Sequence, residues 1–522
     1  MEEGKLDVDA PINDYLDGFA IPDAFDRQIT MRDLMAHRPG FEENVKNSGY
    51  SNPDISLKEA AATNIPARVA PAGDRTIYSN SGSNLAAYVV EEVSGMSYFD
   101  FVETRILNPI GLRSTTLRDI GVERNPTALE QRVAKPHRIA DDAPVLSEYS
   151  KIRPNEAVGS AAMDAKDAAI FMRMLLNNTQ YEGGRLLLPS SWERIKTHAF
   201  ADANGGDDMG WGFMLNGIDG FAMMGHSGAT GSFLTSMFVL PELNMGVFVS
   251  FNGRTESGRP DAIARAIIRK ITNTGSLESF LAIKGDTETA NEIAGNYINN
   301  RQAFSGIATL LTLGSDFTVS ATQDGYLLVH RSSTERYAPL NQDVWVSKTG
   351  ARLSIFRNDE GEVLRLQSSG GTTTFERIPF SSTSNALLIG FGGVLVLCIT
   401  ALLGMYYRHG RALNPSFSEK TLAWVNVLSV VSWLALFICV GLGFYAMQSF
   451  RFGRSEFPPL GFEGSSLLSI WIAIQTLIHF LSMAFAWKTS TWGMWRRIHF
   501  TLLGVLSVYA VYLLYHWHLI GA

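Results

Sequence analysis

Two short segments hold side chains that could take part in acyl transfer: Tyr78-Ser79-Asn80 and His226-Ser227-Gly228. An acyl-transfer site needs a nucleophile, a base beside it and donors aimed at the developing oxyanion. The phenol of Tyr78 has a free pKa of about 10, so it becomes a useful base only beside a cation. Gly225 and Gly231 flank the second segment and predict a tight strand edge there. The two segments provide a candidate base and a strand edge, but they do not identify a nucleophile.

The letters Tyr-Ser-Asn occur twice, so the first segment has a rival at Tyr50-Ser51-Asn52. Pro53 follows the rival directly, and no amphipathic helical pattern comes after it. Tyr78-Ser79-Asn80 leads instead through Ser81-Gly82-Ser83 into a helical pattern that starts at Leu85. The sequence therefore favours the second copy over the first.

The two segments resemble motifs of the serine β-lactamase and penicillin-binding-protein family, in its branch of class C-like esterases and peptidases. The family's Tyr-x-Asn motif matches Tyr78 and Asn80, which the resemblance makes a proton-transfer group and a substrate-orienting amide. Its Lys-Thr-Gly or His-x-Gly motif matches His226-Ser227-Gly228, where the histidine favours a polar or anionic substrate group and the substrate backbone lies alongside the strand. The N–H of Ala229 would be one oxyanion donor. The resemblance covers roughly residues 1–275.

The family's nucleophile motif, Ser-x-x-Lys, has no match, because no serine in this sequence has a lysine three positions later. Ser79 and Ser227 lie inside the matching segments, but neither has a lysine at helical spacing to activate it. Two hypotheses follow. In the first, the sequence is an N-terminally shortened form of an acyl-enzyme hydrolase, since Met1-Glu2-Glu3-Gly4-Lys5 begins without a signal peptide and already within a domain. In the second, it is a pseudoenzyme that binds a peptide or cell-wall fragment as a membrane-anchored sensor or scaffold.

The resemblance implies a substrate that is a β-lactam, a D-amino-acid peptide or a simple ester, and the sequence does not decide among them. It implies neither a metal nor a cofactor, and no Cys/His cluster has zinc spacing. His37, in a segment similar to the family's Leu-Thr-His-x-Ser-Gly, is expected to buttress the fold. Arg38-Pro39 replaces the family's small hydroxyl residues there. Lys348-Thr349-Gly350 lies in a later β-rich region, so we interpret its match to Lys-Thr-Gly as coincidence.

The elements that must position these segments predict an α+β domain over residues 1–275. Thr30 and Asp33 form a capping-box-like helix start. After Gly220, three short runs rich in β-branched and aromatic residues predict an antiparallel meander. A closing helix is predicted from Pro260 to Thr272, with one apolar side formed by Ile263, Ile267, Ile268 and Ile271. We therefore expect a β-lactamase/transpeptidase-like antiparallel sheet flanked by helices.

Residues 285–380 are predicted to form a second, all-β domain. Short strand-like runs alternate there with turn residues, which favours a small barrel or sandwich. The runs lie at residues 309–313, 317–321, 325–330, 344–347, 353–357, 363–367 and 372–378.

A four-helix membrane region is predicted over residues 386–518. Its apolar runs are each about 20 residues or longer, enough to cross a bilayer. They lie at residues 386–407, 422–447, 465–487 and 498–517. The first and third joining segments each hold three Lys/Arg and the second holds two, so the positive-inside rule predicts that the soluble domains face the extracytoplasmic side. His479, inside the third run, is either a functional group or a neutral imidazole bonded to a neighbouring helix.

The net charge also differs between the membrane region and the rest of the chain. Residues 385–522 hold eight Lys/Arg and three Asp/Glu, a net charge of +5, and the whole chain carries −7, which leaves −12 for residues 1–384. An acidic soluble portion argues against nucleic acid as a partner. Cys398 and Cys439 both lie in apolar runs and are expected to be packing residues. The expected partners are a small-molecule or peptide substrate and membrane lipid.

Overall fold

The chain folds into two compact units, Met1–Arg301 with Thr318–Arg377 and Gln302–Phe317 with Ile378–Ala522. The structure, a computed structural model, describes residues 1–43, 55–119, 129–140, 143–149, 152, 155–200, 206–231, 233–253, 260–275, 280, 282–408, 416–451, 460–489 and 491–520. The rival segment at Tyr50 lies outside these residues.

Helices dominate the first two hundred residues. A side chain caps many of their N-termini; Thr30 and Asp33, for example, form the predicted capping box. A π-helical stretch, Glu103–Leu107, joins the fourth helix to the fifth. The α-helices of the α+β domain are α1 (Met31–Met35), α2 (Leu57–Thr63), α3 (Asn80–Ser94), α4 (Tyr98–Val102), α5 (Asn108–Ile110), α6 (Glu156–Gly159), α7 (Ala165–Leu176), α8 (Pro189–Ile195) and α9 (Pro260–Thr272).

Two hairpins and one larger sheet supply the strands of this domain. The hairpins are β1 (His137–Ala140) with β2 (Ala143–Leu146), and β3 (Gln180–Tyr181) with β4 (Gly184–Arg185). The sheet is antiparallel, and its strands neighbour one another in chain order: β5 (Asp208–Met209), β6 (Met214–Ile218), β7 (Phe221–Ala229), β8 (Leu234–Leu240) and β9 (Met245–Phe251).

Helices cover both faces of the five-stranded sheet, as predicted. Consecutive strand residues point to opposite faces. Phe238 accordingly belongs to the same buried cluster as Ile268 of α9. Its neighbour Val239 belongs to the cluster of Met172 on α7. The predicted antiparallel sheet flanked by helices is thereby confirmed.

Helix α9 has the predicted bounds but a different buried face. Ile268 is fully buried, whereas Ile263, Ile267 and Ile271 are 39%, 39% and 65% exposed. The helix packs on the sheet through Ile268 and through Ala264, one turn earlier. The expectation of one apolar side was therefore wrong about which residues form the core.

The second domain is a closed barrel, preceded by helix α10 (Thr287–Ile293). The predicted small all-β fold is confirmed, but one predicted run, 309–313, lies largely in a 3-10 helix, Gly306–Thr312. Lys348-Thr349-Gly350 lies between two neighbouring barrel strands. The barrel strands are β10 (Gly295–Asn299), β11 (Asp316–Ala321), β12 (Leu327–His330), β13 (Thr334–Pro339), β14 (Val344–Ser347), β15 (Arg352–Arg357), β16 (Val363–Ser368) and β17 (Thr374–Ile378).

Among the residues described, four helices of the second unit are long and apolar enough to cross a membrane. His479 is fully buried among them: its Nδ1 lies 2.7 Å from Ser429 Oγ, and its Nε2 lies 3.0 Å from the backbone oxygen of Phe500. It thus bonds to both neighbouring helices, which favours the structural interpretation. The helices are α11 (Ser384–Arg408), α12 (Phe417–Arg451), α13 (Leu460–Ala486) and α14 (Met494–His516).

Candidate functional site

The Tyr78 segment lies where the chain enters α3. Ser79 is the N-cap of this helix, and its Oγ accepts a hydrogen bond from the N–H of Gly82 at 3.1 Å. Tyr78 is therefore held directly before the first turn, and Asn80 is the first helical residue. Because Ser79 is buried and its hydroxyl caps the helix, its role here is structural. The half-buried Asn80 makes no side-chain hydrogen bond to any residue that the structure describes, which leaves its amide available to a ligand.

His37 fixes the orientation of the Tyr78 ring. The two rings stack with centroids 3.9 Å apart and planes inclined by 20°. The Nδ1 of His37 accepts a hydrogen bond from the N–H of Ser79 at 3.1 Å, so the neutral imidazole carries its proton on Nε2. Burial, helped by the positive charges that His226 and Arg301 can carry, lowers the pKa of His37 to about 3. His37 is therefore uncharged near neutral pH.

His226 brings the second segment to the first. It lies on β7, and its ring centroid is 6.1 Å from that of Tyr78. Its Nδ1 lies 2.6 Å from the backbone oxygen of Ser227, and burial lowers its pKa. The imidazole is therefore neutral near pH 7, a polar but uncharged group near the Tyr78 ring.

Among the residues that the structure describes, no strand pairs with the outer edge of β7 beyond Gly225. Strand β6 pairs with β7 only as far as Gly225, whereas β8 continues to pair with residues 226–229. Ser227, Gly228 and Ala229 are all exposed, and a Cβ atom at Gly228 would meet nothing within 4 Å. Since unpaired N–H and C=O groups line such an edge, an extended ligand can add to it as a further strand.

Gly225 permits the close pairing that begins this edge. A Cβ atom at this position would lie 2.0 Å from the backbone oxygen of Met237. The glycine before the His-x-Gly segment is thus required by the approach of β8.

Two charged residues complete the surroundings of Tyr78, and sequence reasoning missed both. The guanidinium carbon of Arg301 lies over the Tyr78 ring, 4.7 Å from its centroid. Its Nε lies 2.7 Å from a carboxylate oxygen of Glu43. Burial raises the pKa of Tyr78, the charge of Arg301 lowers it, and the charge of Glu43 raises it. No sequence signal links the barrel residue Arg301 to the Tyr78 segment, because the contact is purely tertiary.

Within the part of the chain that the structure describes, no group of three or more His, Cys, Asp or Glu side chains is placed to hold a metal ion. The functional groups described at this site are a phenol, an amide, two neutral imidazoles and the backbone edge of one strand.

Comparison with known proteins identifies the family to which the chain belongs. Residues 1–270, more than half of the 522, match the model of the family described as Beta-lactamase. The chain belongs to the β-lactamase family. The resemblance drawn from the Tyr78 and His226 segments is thereby confirmed.

Relatives of this β-lactamase-family chain include two curated bacterial proteins. Penicillin-binding protein 4 of Amycolatopsis lactamdurans is 26% identical over 291 residues, or 54% of this chain and 74% of that protein. The teichoic acid D-alanine hydrolase of Staphylococcus aureus is 28% identical over 118 residues, or 23% of this chain and 28% of that protein. Among solved structures, the octameric penicillin-binding protein homologue of Pyrococcus abyssi has 18% identity and a TM-score of 0.44, covering 72% of this chain and 83% of that one.

The neutral His37 predicts an acid-sensitive fold. As pH falls below the ordinary value of 6.5, an unfolded imidazole takes a proton that the buried one does not bind until about pH 3. As pH falls from 6.5 to about 3, His37 should therefore lower the free energy of unfolding by up to about 1.4 kcal/mol per pH unit. His37→Asn suits the left-handed backbone at φ 53 and removes the titrating group. We expect thermal unfolding of the full chain in detergent to depend less on pH in this variant; equal slopes from pH 6 to 4 would contradict the assignment.

Proposed function

We propose that this protein is a membrane-anchored serine-hydrolase-type enzyme that cleaves an amide or ester through an acyl-enzyme. Tyr78 is the proton-transfer group, and Asn80 orients the substrate. His226 contacts a polar substrate group, while Ser227, Gly228 and Ala229 form the strand edge along which the substrate lies. The observation that carries this proposal is the convergence of Tyr78 and His226, whose rings are 6.1 Å apart at the open end of β7.

The chemistry follows from these groups. A nucleophile that attacks an acyl carbon must lose a proton, and the departing amine or alcohol must gain one. A phenol held beside a cation can carry that proton in both directions. The exposed edge of β7, with its N–H groups, can hold the acyl group and stabilise the oxyanion that forms. The N–H of Ala229 is our candidate donor.

The nucleophile is the part of this mechanism that the sequence does not identify by pattern. Ser79 caps a helix, and the hydroxyl of Ser227 lies 3.8 Å from the sulfur of Met214. A second candidate function therefore stands next to the first: reversible binding of a peptide or cell-wall fragment at the same cleft, without turnover.

We propose that the four long apolar helices span a membrane. The balance of Lys and Arg between their joining segments favours a cytoplasmic position for the first and third of these. The β-lactamase-family domain and the barrel then face the extracytoplasmic side, where β-lactams, D-amino-acid peptides and cell-wall esters are found. The names of the relatives, a penicillin-binding protein and a D-alanine hydrolase, support this substrate class.

The deciding experiment uses the protein purified from its native membrane. It is treated with a fluorophosphonate probe and, in parallel, with a fluorescent penicillin, and the intact mass is measured before and after. We expect a covalent adduct of one probe molecule per chain, and digestion then locates the labelled serine.

Two other outcomes are informative. Saturable binding of peptides, muropeptides or esters without any adduct, weakened by His226→Ala, would replace the hydrolase by the binding function. A protein that is folded by circular dichroism but neither reacts nor binds would overturn both.

A further inference from the structure

We propose that Arg301, contributed by the barrel, is a positioning residue of the candidate site, where its guanidinium stabilises the ionised form of Tyr78. This inference rests on the function proposed above, because it assigns Tyr78 the proton-transfer role. The barrel then contributes a side chain to the site and is more than a separate β-domain.

The guanidinium of Arg301 lies over the phenol ring of Tyr78. Arg301 follows strand β10 by two residues and places its guanidinium carbon 4.7 Å from the centroid of the Tyr78 ring. A cation over an aromatic face is attracted to the neutral ring, and it is attracted more strongly to a phenolate, whose negative charge spreads into the ring. Arg301 therefore favours loss of the proton from Tyr78.

The other described groups that act on Tyr78 are either neutral or negatively charged. His37 stacks on its ring, and His226 lies 6.1 Å away; burial keeps both imidazoles neutral near pH 7. The remaining charged neighbour, Glu43, opposes ionisation of the phenol and pairs with Arg301 at 2.7 Å. Among the described groups that act on Tyr78, Arg301 is thus the one whose charge favours the phenolate.

The barrel also holds the chain leading into Tyr78. Thr374 donates a hydrogen bond from its hydroxyl to the backbone oxygen of Thr76 at 2.7 Å, and both residues are buried. Arg365 donates to the backbone oxygen of Asp74 at 3.1 Å, and Arg75 pairs with Glu376 at 2.6 Å.

These contacts fix the register between the barrel and the residues just before Tyr78. Arg301 therefore meets the ring in a defined position. On an independent domain, the long arginine side chain would not be constrained in this way. Holding it in one geometry would then cost much rotamer entropy.

The test measures ionisation of Tyr78 directly, without a substrate. A fluorinated tyrosine is incorporated at position 78 of the full chain in detergent, and its ¹⁹F shift is followed with pH. We expect the Arg301→Gln background to move the titration to higher pH by about one unit, because an opposite charge at this distance is removed. Arg301→Lys, which keeps the charge, should restore most of the shift. Glu43→Gln should move the titration the other way, to lower pH.

Arg336→Gln is the matched control. Its guanidinium also lies over a tyrosine of the barrel, Tyr326, at 3.7 Å, and it also pairs with a carboxylate, that of Asp324. This change should leave the titration at position 78 in place. Equal titrations in the wild-type and Arg301→Gln backgrounds, or an equal shift from Arg336→Gln, would overturn the proposal.

Failure of the hydrolase proposal gives a different signature. In that case the titration moves with Arg301 as expected, while the fluorophosphonate and penicillin probes leave no adduct. If the probes react but the titration ignores Arg301, the enzyme function stands and the assignment of Arg301 is wrong.

Discussion

Replacing Tyr78 by Phe is expected to slow covalent labelling by a fluorophosphonate about 10²–10⁴-fold, the usual contribution of a positioned proton-transfer group. The change removes only the hydroxyl. The stack on His37 and the contact with the guanidinium of Arg301 both involve the ring, so they persist. We therefore expect little change in the unfolding temperature and a large change in the labelling rate constant, measured on the protein expressed in its own host.

Tyr88→Phe provides the control for this prediction. Tyr88 is a buried tyrosine on the same helix that Tyr78 precedes, and its hydroxyl makes a long contact of 3.5 Å to the backbone oxygen of Asp17 and a side-chain hydrogen bond to Glu92. Loss of the Tyr88 hydroxyl should change the labelling rate constant by no more than a few-fold. Wild-type labelling by the Tyr78→Phe protein would remove Tyr78 from the mechanism, whatever the behaviour of Tyr88→Phe.

Features set by local physics were predictable from the sequence. The capping box at Thr30 and Asp33 and the bounds of α9 follow from short-range patterns and agree with the structure. Features set by tertiary packing were not. Helix α9 has isoleucines around much of its circumference, and periodicity alone does not tell which of them meets the sheet.

The barrel shows the same division. The short apolar run at 309–313 has the composition of a strand, yet it lies largely in a 3-10 helix. Strand β13 (Thr334–Pro339) was missed because Thr334, Glu335 and Arg336 look like a loop. The strand forms there because its neighbours on both sides supply backbone partners.

For the candidate site, motif resemblance identified which residues to examine, and the structure adds how they are held. Arg38 is the clearest case. The sequence marked it only as a departure from the family's small hydroxyl residues. In the structure it is 1% exposed and pairs with the fully buried Asp208 on β5 at 3.3 Å. Its position next to His37 makes this ion pair part of the support of Tyr78.

Asp208→Asn is therefore expected to destabilise the protein by about 3–5 kcal/mol, the usual cost of breaking a buried ion pair from one side. Arg38 also donates a 3.3 Å hydrogen bond to the backbone oxygen of Gly73 and lies 4.6 Å from the ring centroid of Phe200, and neither contact involves Asp208. Chemical denaturation of the full chain in detergent measures the change. Labelling should fall as well, because the loop that carries His37 loses its anchor.

The double variant Arg38→Met with Asp208→Leu separates lost charge from lost packing. When both charges are replaced by apolar groups, the ion pair is no longer broken from one side, so the double variant should be far less destabilising than Asp208→Asn alone. Asp324→Asn provides the surface control: its ion pair with Arg336 has a similar distance of 3.0 Å, but the two side chains are 65% and 41% exposed. Solvent screens such a pair, so its loss should leave the unfolding midpoint almost unchanged. If Asp208→Asn behaves like Asp324→Asn, the buried pair does not hold the His37 loop, and other contacts, such as the hydrogen bonds that the N–H groups of Ser79 and Ile77 donate to His37, maintain the stack on Tyr78.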